Sequence, residues 1–405
     1  MDLFGNLPDE ILAYILSFLS TKEAVQTCIL AKRWKKIWAS VPVLEFNFEE
    51  FWRDCSAVDN YEKQRICDRK FEKFVNNVLQ IRGPSHLDVF WYCNSFGLNY
   101  SETSLKWLDH VMILKPREIS LLVDGKNAFD IPDSLFSCSS LQELSLNILS
   151  TDEIHTIRTK SINLPSLKML EIQGVDLDNN FVEKLFTGCP ALESLHLSHC
   201  DLYISDISCK VLKNLAFHEC YQCKKMQISC PSLESLVIDV YEQVEGISLQ
   251  NMVSLVNAKL HLYMWNDDRF DMKLLSALSN VSTLKLDLRG ASCFEEILKD
   301  DIADCRTFIN LTSLEIANYE PCDDFYLVAC FLKHSPSLQE LTLRISEVRR
   351  DNLQEEPRKK KQRVVVSQRE HLEVIRIINS GATYVMKLID ELRARIKTIG
   401  VIIMD

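Results

Sequence analysis

A six-residue pattern, apolar-x-x-apolar-x-apolar, recurs along most of this chain and limits what it can fold into. It reads Leu141-x-x-Leu144-x-Leu146, then returns with leading residues Leu167, Leu192, Leu212, Leu233, Leu255, Val281, Leu311, Leu338 and Leu372, and in degenerate form at Pro116. The ten intervals from Pro116 to Leu372 cover 256 residues, a mean of about 25.6. Each copy ends in strict alternation, which predicts a short strand with every second side chain buried.

That period falls within the roughly 20–29 residues of leucine-rich repeats. The expected fold class is α/β: a solenoid of short parallel strands joined by helical or irregular returns. Pro165, Pro190, Pro231 and Pro336 each stand two positions before a leading leucine. Proline there ends a preceding helix and favours extended backbone. The same register absorbs many of the 15 cysteines. Cys138, Cys189, Cys209 and Cys230 lie three residues before a leading leucine. Cys200 and Cys220 lie eight after one, in a slot otherwise held by Leu149, Val175, Tyr241 and Tyr263 and expected to be buried.

Composition removes several alternatives. The 10 glycines are never closer than the 14 residues between Gly83 and Gly97 or Gly174 and Gly188, so no glycine-rich phosphate loop exists. A net charge of −11 disfavours nucleic acid and anionic membranes as partners. No HExxH or G-x-S-x-G motif is present, and no catalytic residue is assigned. The start, Met1-Asp-Leu-Phe-Gly-Asn6, lacks a basic segment before an apolar run, and no run of 18 apolar residues follows. The expectation is an intracellular chain, cytoplasmic or nuclear, with reduced thiols. His218-Glu-Cys220-Tyr-Gln-Cys223, with Cys230 nearby, reads either as a zinc site or as core cysteines. Cys220 and Cys230 fall in repeat slots and no second ligand pair follows, so no metal and no cofactor are expected.

The first forty residues follow a different grammar. Pro8 suits a first helical position, with Asp9 and Glu10 at the positive end of the helix dipole. Ile11, Leu12, Ile15, Leu16 and Leu19 recur at helical spacing. Ser20-Thr-Lys-Glu23 is a capping box opening a second helix, with Val25, Cys28 and Ile29 apolar. Residues 31–38 predict a third, with Trp34, Ile37 and Trp38 on one side and cations on the other. Forty residues cannot bury so many large side chains alone, so the repeats, a partner, or both must cover some.

Leu7-Pro8-Asp9-Glu10-Ile11-Leu12, Ile15-Leu16-Ser17-Phe18-Leu19, Cys28-Ile29-Leu30-Ala31-Lys32-Arg33-Trp34 and Trp38 together resemble an F-box, from about Leu3 to Leu44. The segments from Trp107 to Leu121, Leu135 to Leu144 and Leu185 to Leu195 are similar to plant F-box proteins with leucine-rich repeats. Leu372 to Asp405 loosely resembles the FBD domain of some of these. From the residues themselves, Tyr384–Ile396 predicts a helix and Thr398–Met404 a final strand, together a terminal cap. The organisation expected is an F-box at 1–45, a helical connector at 46–83, the repeats at 84–350, a basic insertion at 351–366, and a terminal repeat and cap at 367–405.

The resemblance implies a substrate receptor of a Skp–cullin–F-box ubiquitin ligase, docking a Skp-family adaptor and through it cullin. The adaptor-facing residues it implies are Leu7, Pro8, Ile11, Leu12, Ile15, Leu19, Val25, Ile29 and Trp34, some of which serve the internal core instead. Target binding is expected on the outward strand positions. Chief among them are Asn147, Gln173, His196, Ser198, His218, Asp239, His261, Asp287 and Arg344. Two alternatives stand beside this reading. One is a small-molecule co-receptor with a pocket over the strands near His196, His218, Lys259 and His261. The other is a scaffold that has lost adaptor binding. The basic run Arg358-Lys-Lys-Lys-Gln-Arg363 reads either as a nuclear-import signal or as a solvated loop.

Overall fold

The structure, a computed structural model, describes residues 7–30, 33–55, 60–82, 84–94, 102–124, 131–149, 155–157, 159–242, 246–264, 273–290, 307–319, 326–345, 371–379 and 400–404. The basic run 358–363 and the helix expected at 384–396 lie outside the described residues. Two compact units divide the chain, Met1–Tyr203 and Ile204–Asp405.

The first unit opens with α1 (Asp9–Leu16), α2 (Thr21–Gln26) and α3 (Trp34–Ile37). Then come β1 (Val43–Asn47), α4 (Phe48–Arg53), α5 (Asn60–Arg82), β2 (Val89–Asn94), α6 (Glu102–Ile113), β3 (Glu118–Asp124), β4 (Glu143–Leu149), β5 (His155–Thr156), β6 (Met169–Gln173), β7 (Val175–Asp178), α7 (Asn179–Gly188), β8 (Ser194–Ser198) and β9 (Asp201–Tyr203). Strands β1, β2, β3, β4, β6 and β8 form one parallel ladder in strict register. Its inward rungs are buried, as in Leu44, Phe90, Ile119, Leu144, Leu170 and Leu195. Each such side chain contributes about 1.5–3 kcal/mol on leaving water.

Two of these strands precede the first copy of the pattern. β1 straddles the 45/46 boundary, and β2 follows the helical connector. Both carry inward aromatics: Phe46 meets Phe90 and, on α5, Phe74, and Tyr92 meets Phe71 of α5 and Trp107 of α6. Trp107 donates from Nε1 to Asn76 Oδ1 at 2.7 Å, tying the two helices.

The second unit contains β10 (Asp206–Ser208), β11 (Asn214–Gln222), β12 (Met226–Ser229), β13 (Ser235–Glu242), β14 (Ile247–Gln250), β15 (Asn257–Met264), α8 (Lys273–Ala277), β16 (Thr283–Gly290), β17 (Ser313–Tyr319), α9 (Tyr326–His334), β18 (Glu340–Ile345), β19 (Val374–Asn379) and β20 (Gly400–Met404). Strands β11, β13, β15, β16, β17, β18, β19 and β20 make its parallel ladder. The final strand expected at 398–404 is β20.

The returns are less helical than the prolines imply. Pro190 and Pro336 do follow helices, α7 and α9. Before Pro165 and Pro231 there is none among the described residues; β12 ends just ahead of Pro231. Short strands form a second parallel row instead, β5–β7–β9 in the first unit and β10–β12–β14 in the second. A return of alternating residues such as Met226-Gln-Ile-Ser229 buries one side without needing a helix.

A left-handed residue decides the fate of the cysteine slot. Seven positions after the leading leucine, Gly174, His199, Glu219 and Asn318 have φ of 76°, 49°, 50° and 51°. The chain turns there, and the next residue, Val175, Cys200, Cys220 or Tyr319, is buried. β4 has no such turn, so Ile148 is buried and Leu149 is 36% exposed, contrary to its expected place in a buried slot. β13 likewise runs on through Val240, leaving Tyr241 half-buried. The Tyr263 side chain is outside the described ones.

Of these turn positions, Gly174 is the one with no room for a side chain. A Cβ there would lie 1.9 Å from the Ile148 carbonyl oxygen. Gly174→Ala is therefore expected to lower stability by about 2 kcal/mol or more in urea unfolding. An unchanged midpoint would contradict the close approach.

Candidate functional site

The helical module at the start is built around a small interior. Leu12, Leu16, Trp34, Ile37 and Trp38 are buried together, while Lys35 and Lys36 are exposed. Asp9 and Glu10 occupy the first turn of α1. Arg33 fixes that start, donating from Nε to Asp9 Oδ1 at 2.8 Å and from Nη2 to the Leu7 carbonyl at 2.6 Å. α2 carries the complete capping box: Glu23 N–H donates to Ser20 Oγ at 3.3 Å, and Ser20 N–H to Glu23 Oε2 at 3.1 Å. The module is fastened to the first strand. Buried Thr21 accepts the Glu45 N–H at 2.7 Å through Oγ1.

α1 is apolar nearly all round, and only one side is used internally. Ile11, Tyr14, Phe18 and Leu19 face solvent, with Phe18 73% exposed. Tyr14 and Phe18 meet edge to face at 5.0 Å. Ile29 and Leu30 add 88% and 71% exposed side chains from the turn after α2. Of the residues implied by the resemblance, Pro8, Ile11, Leu19 and Ile29 are exposed, and Leu7, Ile15 and Val25 are half-buried. Leu12 and Trp34 lie inside the module and are not presented. Tyr14, Phe18 and Leu30 were not among the expected residues. For Tyr14 the signal was a helix too apolar for one buried side, whereas Phe18 and Leu30 lie beyond the ends of α1 and α2.

The outward strand positions behave unevenly. Asn147, Gln173, His196 and Ser198 are half-buried, and His218 and Arg344 are exposed. Asp239, His261 and Asp287 are instead buried. They share one rung of β13, β15 and β16, three strands of eight residues each, so the position lies within the strand rather than at its end. His261 Nδ1 stands 3.1 Å from Asp287 Oδ2 and 3.6 Å from Asp239 Oδ2. Asn318 Nδ2 donates to Asp287 Oδ1 at 2.5 Å. This rung ties strands together rather than offering free groups.

Of the twelve described cysteines, all but Cys28 and Cys223 are buried thiols. Burial pushes the Cys189 thiol up to about 12 and Cys230 up to about 11, so neither forms thiolate at neutral pH. Cys220 Sγ donates to the His218 carbonyl and Cys230 Sγ to that of Ile207. Among the described residues, no group of three or more His, Cys, Asp or Glu is placed to hold a metal ion. No described helix is long and apolar enough to cross a membrane. A cleft of about 730 Å³ in the first unit lies between Asp133, Thr156, Lys160, Asp176 and Phe181. It contains none of the four side chains proposed for a small-molecule pocket.

An open apolar helical face, carried ahead of parallel ladders of leucine rungs, defines a binding protein of the leucine-rich-repeat class. Comparison with known proteins agrees. Residues 4–46 match the F-box domain family and residues 87–386 match the At1g61320/AtMIF1 leucine-rich-repeat domain family. The chain is 31% identical over 277 residues to the F-box/LRR-repeat protein At3g58900 of Arabidopsis thaliana, covering 65% of this chain and 80% of that one. It is 28% identical over 359 residues to the putative F-box protein At3g58860 of the same plant, covering 85% and 74%. The putative FBD-associated F-box protein At5g22720, also from Arabidopsis, is 26% identical over 373 residues, covering 84% and 73%. The chain belongs to the F-box/leucine-rich-repeat family. F-box domains generally bind Skp1-like adaptors, and the family generally serves in non-catalytic recognition.

One charge on the ladder costs stability. Burial, then Glu143 beside it, raises the Glu118 carboxyl above its usual range. A raised carboxylate pKa means the folded state binds the proton more tightly, so the penalty is present at neutral pH and disappears as pH falls through that range. Glu118→Gln should therefore raise the melting temperature at pH about 7, with the gain vanishing near the ordinary glutamate pKa of about 4.3. A gain that is equal at both pH values would contradict this origin.

Proposed function

We propose that this chain is the substrate-recognition subunit of a Skp–cullin–F-box ubiquitin ligase. The observation that carries the reading is the exposed apolar face of Ile11, Tyr14, Phe18, Leu19, Ile29 and Leu30. Several large apolar side chains exposed on so small a module mark a protein-binding site. The interior beneath it is already filled by Leu12, Leu16 and Trp34, so the face is not needed to hold the module together. The Skp-family adaptor covers it, with Leu7 and Pro8 at its margin. Cullin is reached through that adaptor.

The ladders bind the target protein. The contribution to ubiquitin transfer is proximity: a target lysine is held near the charged ubiquitin carrier, and no bond is made or broken by this chain. The basic run at 358–363 serves nuclear import in this reading, and the protein works in the nucleus and cytoplasm.

Capture of a purified Skp-family adaptor by the full chain tests the assignment. Buried apolar anchors at an interface contribute about 2 kcal/mol or more each. Ile11→Asp with Phe18→Asp should weaken capture at least about 100-fold while leaving the melting temperature within a few degrees. Leu7→Ala with Pro8→Ala should act in the same direction. Undiminished capture by both pairs would overturn the proposal.

A further inference from the structure

The ladder face of the first unit carries charge of one sign. In register, its middle rung runs Glu45–Trp91–Ser120–Ser145–Glu171–His196. The rung below sets Glu118 directly beside Glu143. No outward position of these six strands, from Val43 to Ser198, holds Lys or Arg. Arg117 and Lys168 lie just ahead of β3 and β6, and Arg117 pairs with Asp88 at 3.5 Å. Among the described residues, none of the four glutamates is paired with a cation. Glu171 accepts the Ser145 hydroxyl at 3.1 Å.

The second unit shows the usual solution. There Glu315 takes Lys285 at 3.1 Å and Arg344 at 2.6 Å, and Glu340 takes Arg376 at 3.0 Å. Like charges side by side on neighbouring strands are destabilising. Besides Glu118, Glu45 is raised by its burial, then by Glu50 and Glu23. A local rule broken without internal compensation is expected where a surface serves a partner.

We infer that this face binds an extended Lys/Arg-rich segment of the target protein, with Glu45, Glu118, Glu143 and Glu171 receiving its cations. This names the target class for the receptor reading above and rests on it. Six strands at about 4.8 Å spacing span about 24 Å, the length of roughly seven extended residues. Half-buried Trp91, between Glu45 and Ser120 on the middle rung, offers an aromatic surface to an arginine. Exposed ion pairs are individually weak, so recognition depends on several together and falls with salt.

Calorimetric titration of the full chain with a synthetic Lys/Arg-rich peptide of about ten residues, in about 0.15 M salt, is the test. Glu118→Gln/Glu143→Gln/Glu171→Gln should weaken binding at least about tenfold. Glu72→Gln/Glu183→Gln/Glu373→Gln removes the same charge from exposed positions elsewhere and should change it less than about twofold. Glu118→Lys/Glu143→Lys/Glu171→Lys should lose the basic peptide and gain an acidic one of equal length. Should the Gln triple fail to melt cooperatively, the exposed single change Glu143→Gln decides, with a loss of about threefold expected. No binding by the unaltered chain, equal loss in both Gln triples, or no loss on the face overturns the inference. Adaptor capture measured on the same preparations separates the two readings. Its absence in the unaltered chain defeats the ligase assignment, whereas these peptide results judge the face alone.

Discussion

Each strand of the two ladders buries its apolar residues only because the strands beside it present the same face at the same height. A single repeat has too little interior to fold alone, and its leucines are covered by those of its neighbours. Parallel register makes that possible: Leu144 beside Leu170 beside Leu195, and Leu284 beside Leu314 beside Leu341. The same register that stacks leucines inside also stacks outward residues into rungs. The buried Asp239–His261–Asp287 row and the glutamate row near Trp91 are both consequences of it.

A ladder built this way leaves an unpaired edge at its first strand, which would recruit other strands if left open. Here the F-box supplies cover. Thr21 satisfies the Glu45 N–H, and Lys22 reaches across to Asp54 of the residues after α4 and over the Phe51 ring at 4.6 Å. The module is thus both an edge cover for β1 and the bearer of an open apolar face. A truncation after residue 45 would cut through β1 and change the ladder as well as the F-box.

The sequence made the leucine rungs legible because alternation and a period of about 25.6 residues are imposed by stacking itself. Cys200 and Cys220 could be placed for the same reason. Strand β1 was missed, and β2, though inside the 84–350 assigned to repeats, matched no copy of the pattern, because Phe46, Phe90 and Tyr92 fill the interior without a leading leucine. Leu149 was misplaced because burial of its slot depends on a left-handed turn one residue earlier, which a non-glycine sequence does not announce. In α1, spacing marked Leu12 and Leu16 as apolar but equally marked Ile11, which is exposed. Only the packing of Trp34 and Trp38 shows which side is inside.

The first unit carries both an apolar face that needs a partner and polar rungs suited to another. Hydrogen exchange of the full chain, alone and with a purified Skp-family adaptor, examines the first of these contacts without altering a residue. Protection should rise across Asp9–Leu30 on adaptor addition, while the amides of β3, β4 and β6 stay as they were. Adaptor binding with no new protection in Asp9–Leu30 would contradict the account.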